Sequence, residues 1–254
     1  MFSSSLGKKY LMALSGLVLI GFVFVHMAGN LQVLLGQAQI NAYAHSLQSL
    51  PWFILWGSRL FLLAAVLIHA FTAYSLIVEN RKARPNLNEI EATKRAGLAS
   101  LRMGLTGSIL LAFIVFHLLH FTIRTIYPEY AEMMTTVGSP DGTEIHDAFL
   151  MVISGFKHDV ISVFYVVAMG MLCAHLSHGF SSVFQSLGLR SESWRAKIDL
   201  VAIGYAWIIF VGFSIVPLSV LAQKHGIYEF YDPSFFSQEV EEKSLSTNLL
   251  NNES

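Results

Sequence analysis

The sequence predicts an all-α integral membrane protein of five transmembrane helices. Two observations carry this. The 254 residues are 54% hydrophobic and only 13% charged, whereas soluble domains carry about a quarter charged residues. The charge that exists is also segregated, leaving long apolar runs between polar connections. Crossing about 30 Å of hydrocarbon takes about 20 mostly apolar residues in a helix. Five segments meet that length, at about 10–36, 52–78, 100–126, 160–187 and 199–222, numbered I to V here.

Span I follows Lys8 and Lys9, as a signal peptide would, but its apolar run from Tyr10 to Leu35 exceeds the 7–15 residues of a signal core. It is expected to remain as the first helix. Span II begins after Pro51. Spans III and IV are interrupted by histidines, and span V carries Pro217 only near its end. Residues 1–225 therefore read as one transmembrane domain and 226–254 as a polar, acidic tail. The loop 127–156, with Gly138-Ser-Pro-Asp-Gly142, is expected to be irregular with a tight turn, and to hold a short amphipathic helix on the membrane surface.

Lysine and arginine set the orientation. Lys8 and Lys9, then Arg81, Lys82, Arg84, Lys94, Arg95 and Arg102, then Arg190, Arg195 and Lys197 all fall at one set of helix ends. The other set holds Asp141, Glu144, Asp147, Glu229, Asp232 and Glu239. The N-terminus is accordingly expected on the cytoplasmic side of the membrane and the C-terminus outside. A net charge of −1 gives no basic surface for nucleic acid. The single cysteine, Cys173, excludes an intrachain disulfide and an iron–sulfur cluster held by this chain alone.

Six of the ten histidines lie inside spans: His26, His69, His117, His120, His175 and His178. A polar group at membrane depth is costly without a partner, and one such histidine can be satisfied by a nearby carbonyl. Their depths suggest more. His26 lies 17 residues beyond Lys9, His117 15 beyond Arg102, His69 18 beyond Pro51 and His175 18 beyond Lys157. At 1.5 Å per residue each is about 22–27 Å into its helix. Because successive helices reverse direction, His26 and His117 fall in the outer half, His69 and His175 in the inner half. Each level then offers one imidazole from each of two helices, which is what bis-histidine haem ligation requires. The i,i+3 pairs His117/His120 and His175/His178 could instead chelate a metal. The spans contain no Asp or Glu except at their edges, and catalytic zinc or di-iron sites commonly use carboxylates.

At these residues the chain resembles the dihaem cytochrome b subunit of the succinate dehydrogenase and fumarate reductase family, the b558-type membrane anchor. The matching stretches are Val25-His-Met-Ala-Gly-Asn-Leu31, Asn41-Ala-Tyr-Ala-His45, Leu67-Ile-His-Ala70, Leu105-Thr-Gly107 with His117 ten residues after the glycine, and His175 with Gly188 thirteen residues later. The resemblance covers about residues 8–222 and implies helices I–IV in a four-helix bundle around two stacked haems b, with helix V outside. It implies axial ligands His26 with His117 for the outer haem and His69 with His175 for the inner one. It assigns no ligand role to His120 or His178, which lie one turn further along and about 60° round the helix, and leaves them as propionate, quinone or structural contacts.

The resemblance further implies partners: a flavoprotein and an iron–sulfur subunit on the cytoplasmic face, with membrane quinone, commonly menaquinone, as the lipid-soluble substrate. Succinate chemistry would then belong to the flavoprotein, since this chain has no soluble domain for flavin. Quinone sites need an apolar slot with a few polar groups at the membrane edge. Ser15, Asn30, Gln32, His45, Ser58 and Arg59 are candidates, Arg59 also being able to snorkel or to meet an outer propionate. Two other functions are carried as alternatives: a cytochrome b anchor of a hydrogenase or formate dehydrogenase, and a non-redox transporter whose histidines line a pathway.

Overall fold

A computed structural model describes residues 4–82 and 91–236, residues 91–101 by their backbone alone. Among them, five helices are long and apolar enough to cross a membrane. The chain is thus an all-α, multi-pass membrane protein. The spans are α1 (Ser5–Asn30), α3 (Trp52–Lys82), α4 (Glu91–His117), α6 (Asp159–Ser186) and α7 (Glu192–Lys224). Two shorter helices, α2 (Gln37–Gln48) and α5 (Ala148–Phe156), lie between them.

Helix ends differ from the hydropathy reading for local reasons. Ser4 caps α1, its hydroxyl accepting from Gly7 N at 3.1 Å, so this helix starts before the apolar run. It ends at Asn30 and tightens into a 3-10 turn, Leu31–Leu35, stopped by Gly36 at φ 99°. Helix α3 runs on to Lys82, where Glu79 is paired with Lys8 of α1. Helix α7 begins at Glu192, seven residues before the expected start, because its polar first turns are helical too. Hydropathy detects only the apolar middle of a helix.

Span III departs most. After His117 the backbone opens into a π-turn, Leu118–Thr122, with Ile123 N donating to Leu118 O at 2.7 Å. Arg124 follows at φ 62°, a conformation that cannot continue a right-handed helix. The helix therefore stops short of the expected residue 126. The wider i→i+5 turn also carries His120 further round than the 60° expected of a regular helix.

The segment 37–51, read as a connection, contains α2. Loop 127–156 holds a 3-10 turn (Pro128–Glu132), then β1 (Met134–Thr135) paired antiparallel with β2 (Ile145–His146), then α5. The tight turn lies between the strands. Asp141 accepts from Ser139 Oγ, Thr143 N and Thr143 Oγ1. Gly138, at φ 89°, passes so close to α2 that a Cβ would sit 2.6 Å from Ala38 O.

The short helix expected on the membrane surface is instead buried. Ala148, Phe149, Met151, Ile153 and Phe156 of α5 are core residues. Asp147 caps α5 through Leu150 N at 3.0 Å. The same carboxylate accepts from Gln37 Nε2 at 2.7 Å and Asn41 Nδ2 at 3.0 Å, while Asn41 Oδ1 accepts from Phe149 N at 2.9 Å. These bonds satisfy the buried polar groups and fasten α5 to α2, forming a cap over one side of the helices.

Around that frame, α1 packs on α3 and α6, α4 packs on α6 and touches α3, and α7 lies against α6 and α1. Lys8–Glu79 and Arg190–Asp199 lie on the side of the α1 N-terminus, called inner below. Lys224–Asp159 lies on the capped, outer side. Much of α3, including Phe53, Leu60, Phe61, Leu67 and Phe71, faces outward. The start of the expected tail folds back: Gln223 Oε1 accepts from Tyr231 N at 2.7 Å, and Tyr231 bonds Ser219 at 2.6 Å. Tail residues 237–254, the loop residue Arg84 and the side chains of Lys94 and Arg95 lie outside the described residues.

Candidate functional site

The helices bring the histidines together in twos. On the inner level His69 of α3 faces His175 of α6, with ring centroids 6.4 Å apart and planes at 70°. On the outer level His26 of α1 faces His117 of α4, at 5.8 Å and 77°. No hydrogen bond joins the two rings of either pair among the described residues. Gly16 and Gly107 lie beside the inner rings, and each is ten residues from the outer histidine of its own helix. That interval puts the levels about 15 Å apart along the helix axis.

The inner rings have defined hydrogen-bond partners. His69 Nδ1 lies 3.2 Å from Met12 O. A carbonyl can only accept, so Nδ1 carries the hydrogen. Ser15, whose hydroxyl donates to Leu11 O at 2.7 Å, approaches the same nitrogen at 3.4 Å. His175 Nδ1 lies 3.0 Å from Thr106 Oγ1, and that hydroxyl donates to Arg102 O at 2.9 Å. Thr106 therefore accepts from His175. Both Nε2 atoms are left as free lone pairs in the neutral tautomer a metal requires.

Glycines make room for this level. A Cβ on Gly16 would come within 3.2 Å of His69 Cε1, and one on Gly107 within 3.3 Å of His175 Cε1. The outer rings are held mainly by aromatic faces: Phe22 stacks on His26 at 5.3 Å and Phe113 on His117 at 6.0 Å. Asn30 Nδ2 donates to His26 O at 2.8 Å. Tyr165 of α6 places its hydroxyl 3.4 Å from His117 Nδ1 and 2.9 Å from His120 Nδ1.

These pairs fit a six-coordinate iron. Two metal–nitrogen bonds of about 2 Å, plus about 1 Å from each nitrogen to its ring centre, separate the two rings by about 6 Å. The observed 5.8 and 6.4 Å bracket that value. Among the described residues no three His, Cys, Asp or Glu side chains gather to hold a metal ion.

The remaining candidates are scattered. Ser15 and Asn30 touch the histidines. Gln32 bonds Gln39, His45 bonds Ser49, and Ser58 bonds the carbonyl of Leu55. Arg59 is exposed and lies over the Trp56 ring at 5.1 Å. His178 is also exposed, whereas His120 has no accessible surface at all. Outside the spans, burial lowers the His146 pKa and the nearby Arg124 charge lowers it further.

Thr106, Tyr165 and the carbonyl of Met12 were not among the sequence candidates. Tyr165 lies ten residues before His175, so depth alone puts it on the outer level, and a polar side chain there was a readable signal. No family model matches the chain, and no curated protein or solved structure matches it. The class defined by fold and site is a multi-pass helical membrane protein with two stacked levels of paired histidines.

Proposed function

We propose that the chain is a dihaem cytochrome b. In this reading it anchors a succinate:quinone oxidoreductase in the bacterial cytoplasmic membrane and passes electrons between an iron–sulfur subunit and membrane quinone. The observation that carries it is the pair of facing imidazoles at each level, separated by 5.8 and 6.4 Å. A haem held between two imidazoles has no open position and so supplies electron transfer rather than oxygen binding.

The chain's own residues do the rest. His26 with His117 and His69 with His175 would supply the two imidazoles at each level. Met12 and Thr106 hold the inner rings in the ligating tautomer, which raises ligand basicity and fixes ring orientation. Gly16 and Gly107 leave room beside the inner rings. The apolar helices keep water from both levels. The basic inner ends suit a cytoplasmic docking face for the iron–sulfur and flavoprotein subunits, and the positive-inside tendency supports the N-terminus there. The resemblance supports menaquinone as the quinone.

The test is a reduced-minus-oxidised spectrum with haem quantification, on the wild type and four single His→Ala variants. Two haems b per chain are expected. His69→Ala and His175→Ala should lose the same haem, and His26→Ala and His117→Ala the other. Folded protein made with haem available yet carrying none would overturn the redox reading.

A further inference from the structure

His117 is the one facing histidine whose Nδ1 meets a hydroxyl that is itself bonded to another histidine. Tyr165 is 6% exposed and His120 is 0% exposed, so water does not compete for these bonds. The phenol is enclosed by the rings of Phe113, Phe116, Phe121 and Phe156, with centroids 5.0 to 6.1 Å away. His120 reaches the phenol from within the π-turn. On its far side a Cβ on Gly155 would be 3.3 Å from His120 Cε1 and 2.8 Å from Phe121. Phe121 lies against the His120 ring with centroids 4.0 Å apart, so the ring is packed on this side as well.

Counting hydrogens then orders the chain. The phenol has one hydrogen and two histidine neighbours. If it donated to His117, His117 Nδ1 would be bare, Nε2 would hold the ring hydrogen, and that nitrogen could not bind a metal. Ligation through His117 Nε2 therefore forces Nδ1–H to donate to the Tyr165 oxygen. The phenol then donates to His120 Nδ1, leaving an N–H at His120 Nε2, an atom that is buried and has no partner. The inner level has no such sequence, because its acceptors end at the Met12 carbonyl and at Thr106, whose hydrogen already goes to Arg102.

We propose that Tyr165, backed by His120, is the positioning residue of the outer level: it accepts from His117, raises that imidazole's basicity and lowers the outer haem's reduction potential. This rests on the reading of His117 as an axial ligand. Hydrogen bonds in series polarise one another, so His120 strengthens the acceptor that His117 sees.

The experiment is a spectroscopic redox titration of purified wild type, Tyr165→Phe and His120→Leu, with the outer haem identified as the one missing from His26→Ala. Tyr165→Phe should shift the ferrous-to-ferric ratio of the outer haem about tenfold toward ferrous, about 59 mV upward for one electron. The inner haem should not move. His120→Leu should shift the outer haem in the same direction by less. An unshifted outer haem, or equal shifts of both haems, overturns the proposal while leaving the dihaem reading intact. Should Tyr165→Phe fail to retain the outer haem, His120→Leu decides: a selective shift supports the chain and none overturns it. A wild type without haem instead defeats the underlying reading.

Discussion

Replacing Thr106 with valine tests the inner level at a single atom. Valine keeps the shape of threonine and removes only the acceptor 3.0 Å from His175 Nδ1. Since the Thr106 hydrogen is directed at Arg102 O, 2.9 Å away, no donor to His175 is lost. The variant leaves an imidazole N–H in an apolar interior with no partner, at a cost of about 1–3 kcal/mol. At about 1.4 kcal/mol per factor of ten, inner-haem affinity should fall about 5- to 150-fold. That range overlaps the 10- to 100-fold typical of lost outer-shell partners of metal-bound histidines. The assay is the extent and rate of haem transfer to an excess of a haem-scavenging protein, resolved by the spectra of the two haems. Thr106→Ser restores the hydroxyl and should restore retention. An inner haem held as tightly in Thr106→Val as in the wild type, or loss confined to the outer haem, would refute the reasoning.

Two further outcomes test the packing. Gly16→Val places a branched side chain where a Cβ alone would stand 3.2 Å from His69 Cε1, closer than the 3.5–4.0 Å of an ordinary carbon contact. It should abolish the inner haem, as read by haem stoichiometry, and leave the outer one in place. Asn41→Ala removes a fully buried side chain that bonds Asp147 Oδ1 and Phe149 N. Asp147 Oδ1 keeps Leu150 N, but Phe149 N is left unpaired, which should cost about 1–3 kcal/mol and lower the thermal midpoint in detergent. An unchanged midpoint would mean that the clamp between α2 and α5 adds no stability.

The spans were legible because hydropathy over about 20 residues reports the bilayer's thickness. That His26 shares a level with His117, and His69 with His175, needed only the rise per residue and the alternation of helix direction. Depth fixes height and not direction round the axis, which is why Arg59, a good candidate by height, is found exposed beside Trp56. Ser15 and Asn30 touch histidines because each also lies on the inward side of α1. The π-turn after His117 has no residue signature, so the offset of His120 could not be anticipated. Helix α5 reads as a surface segment in isolation, since its burial depends on α2, more than 100 residues earlier in the chain. Thr106 was visible inside a matching stretch, but its role depends on a contact with another helix.

The intervals from Gly16 to His26 and from Gly107 to His117 have a consequence for how such a chain can change over time. Each joins a clearance at one level to a ring at the other. One inserted residue would turn the remainder of that helix by about 100° and advance it by about 1.5 Å, spoiling one level to keep the other. A seven-residue insertion would nearly restore the facing, but it would displace one level by about 10 Å. The outward residues between these points, such as Leu17 and Phe24 in α1, need only remain apolar. Drift within the spans can therefore be extensive in identity and almost nil in length, making the count of residues between glycine and histidine the heritable quantity.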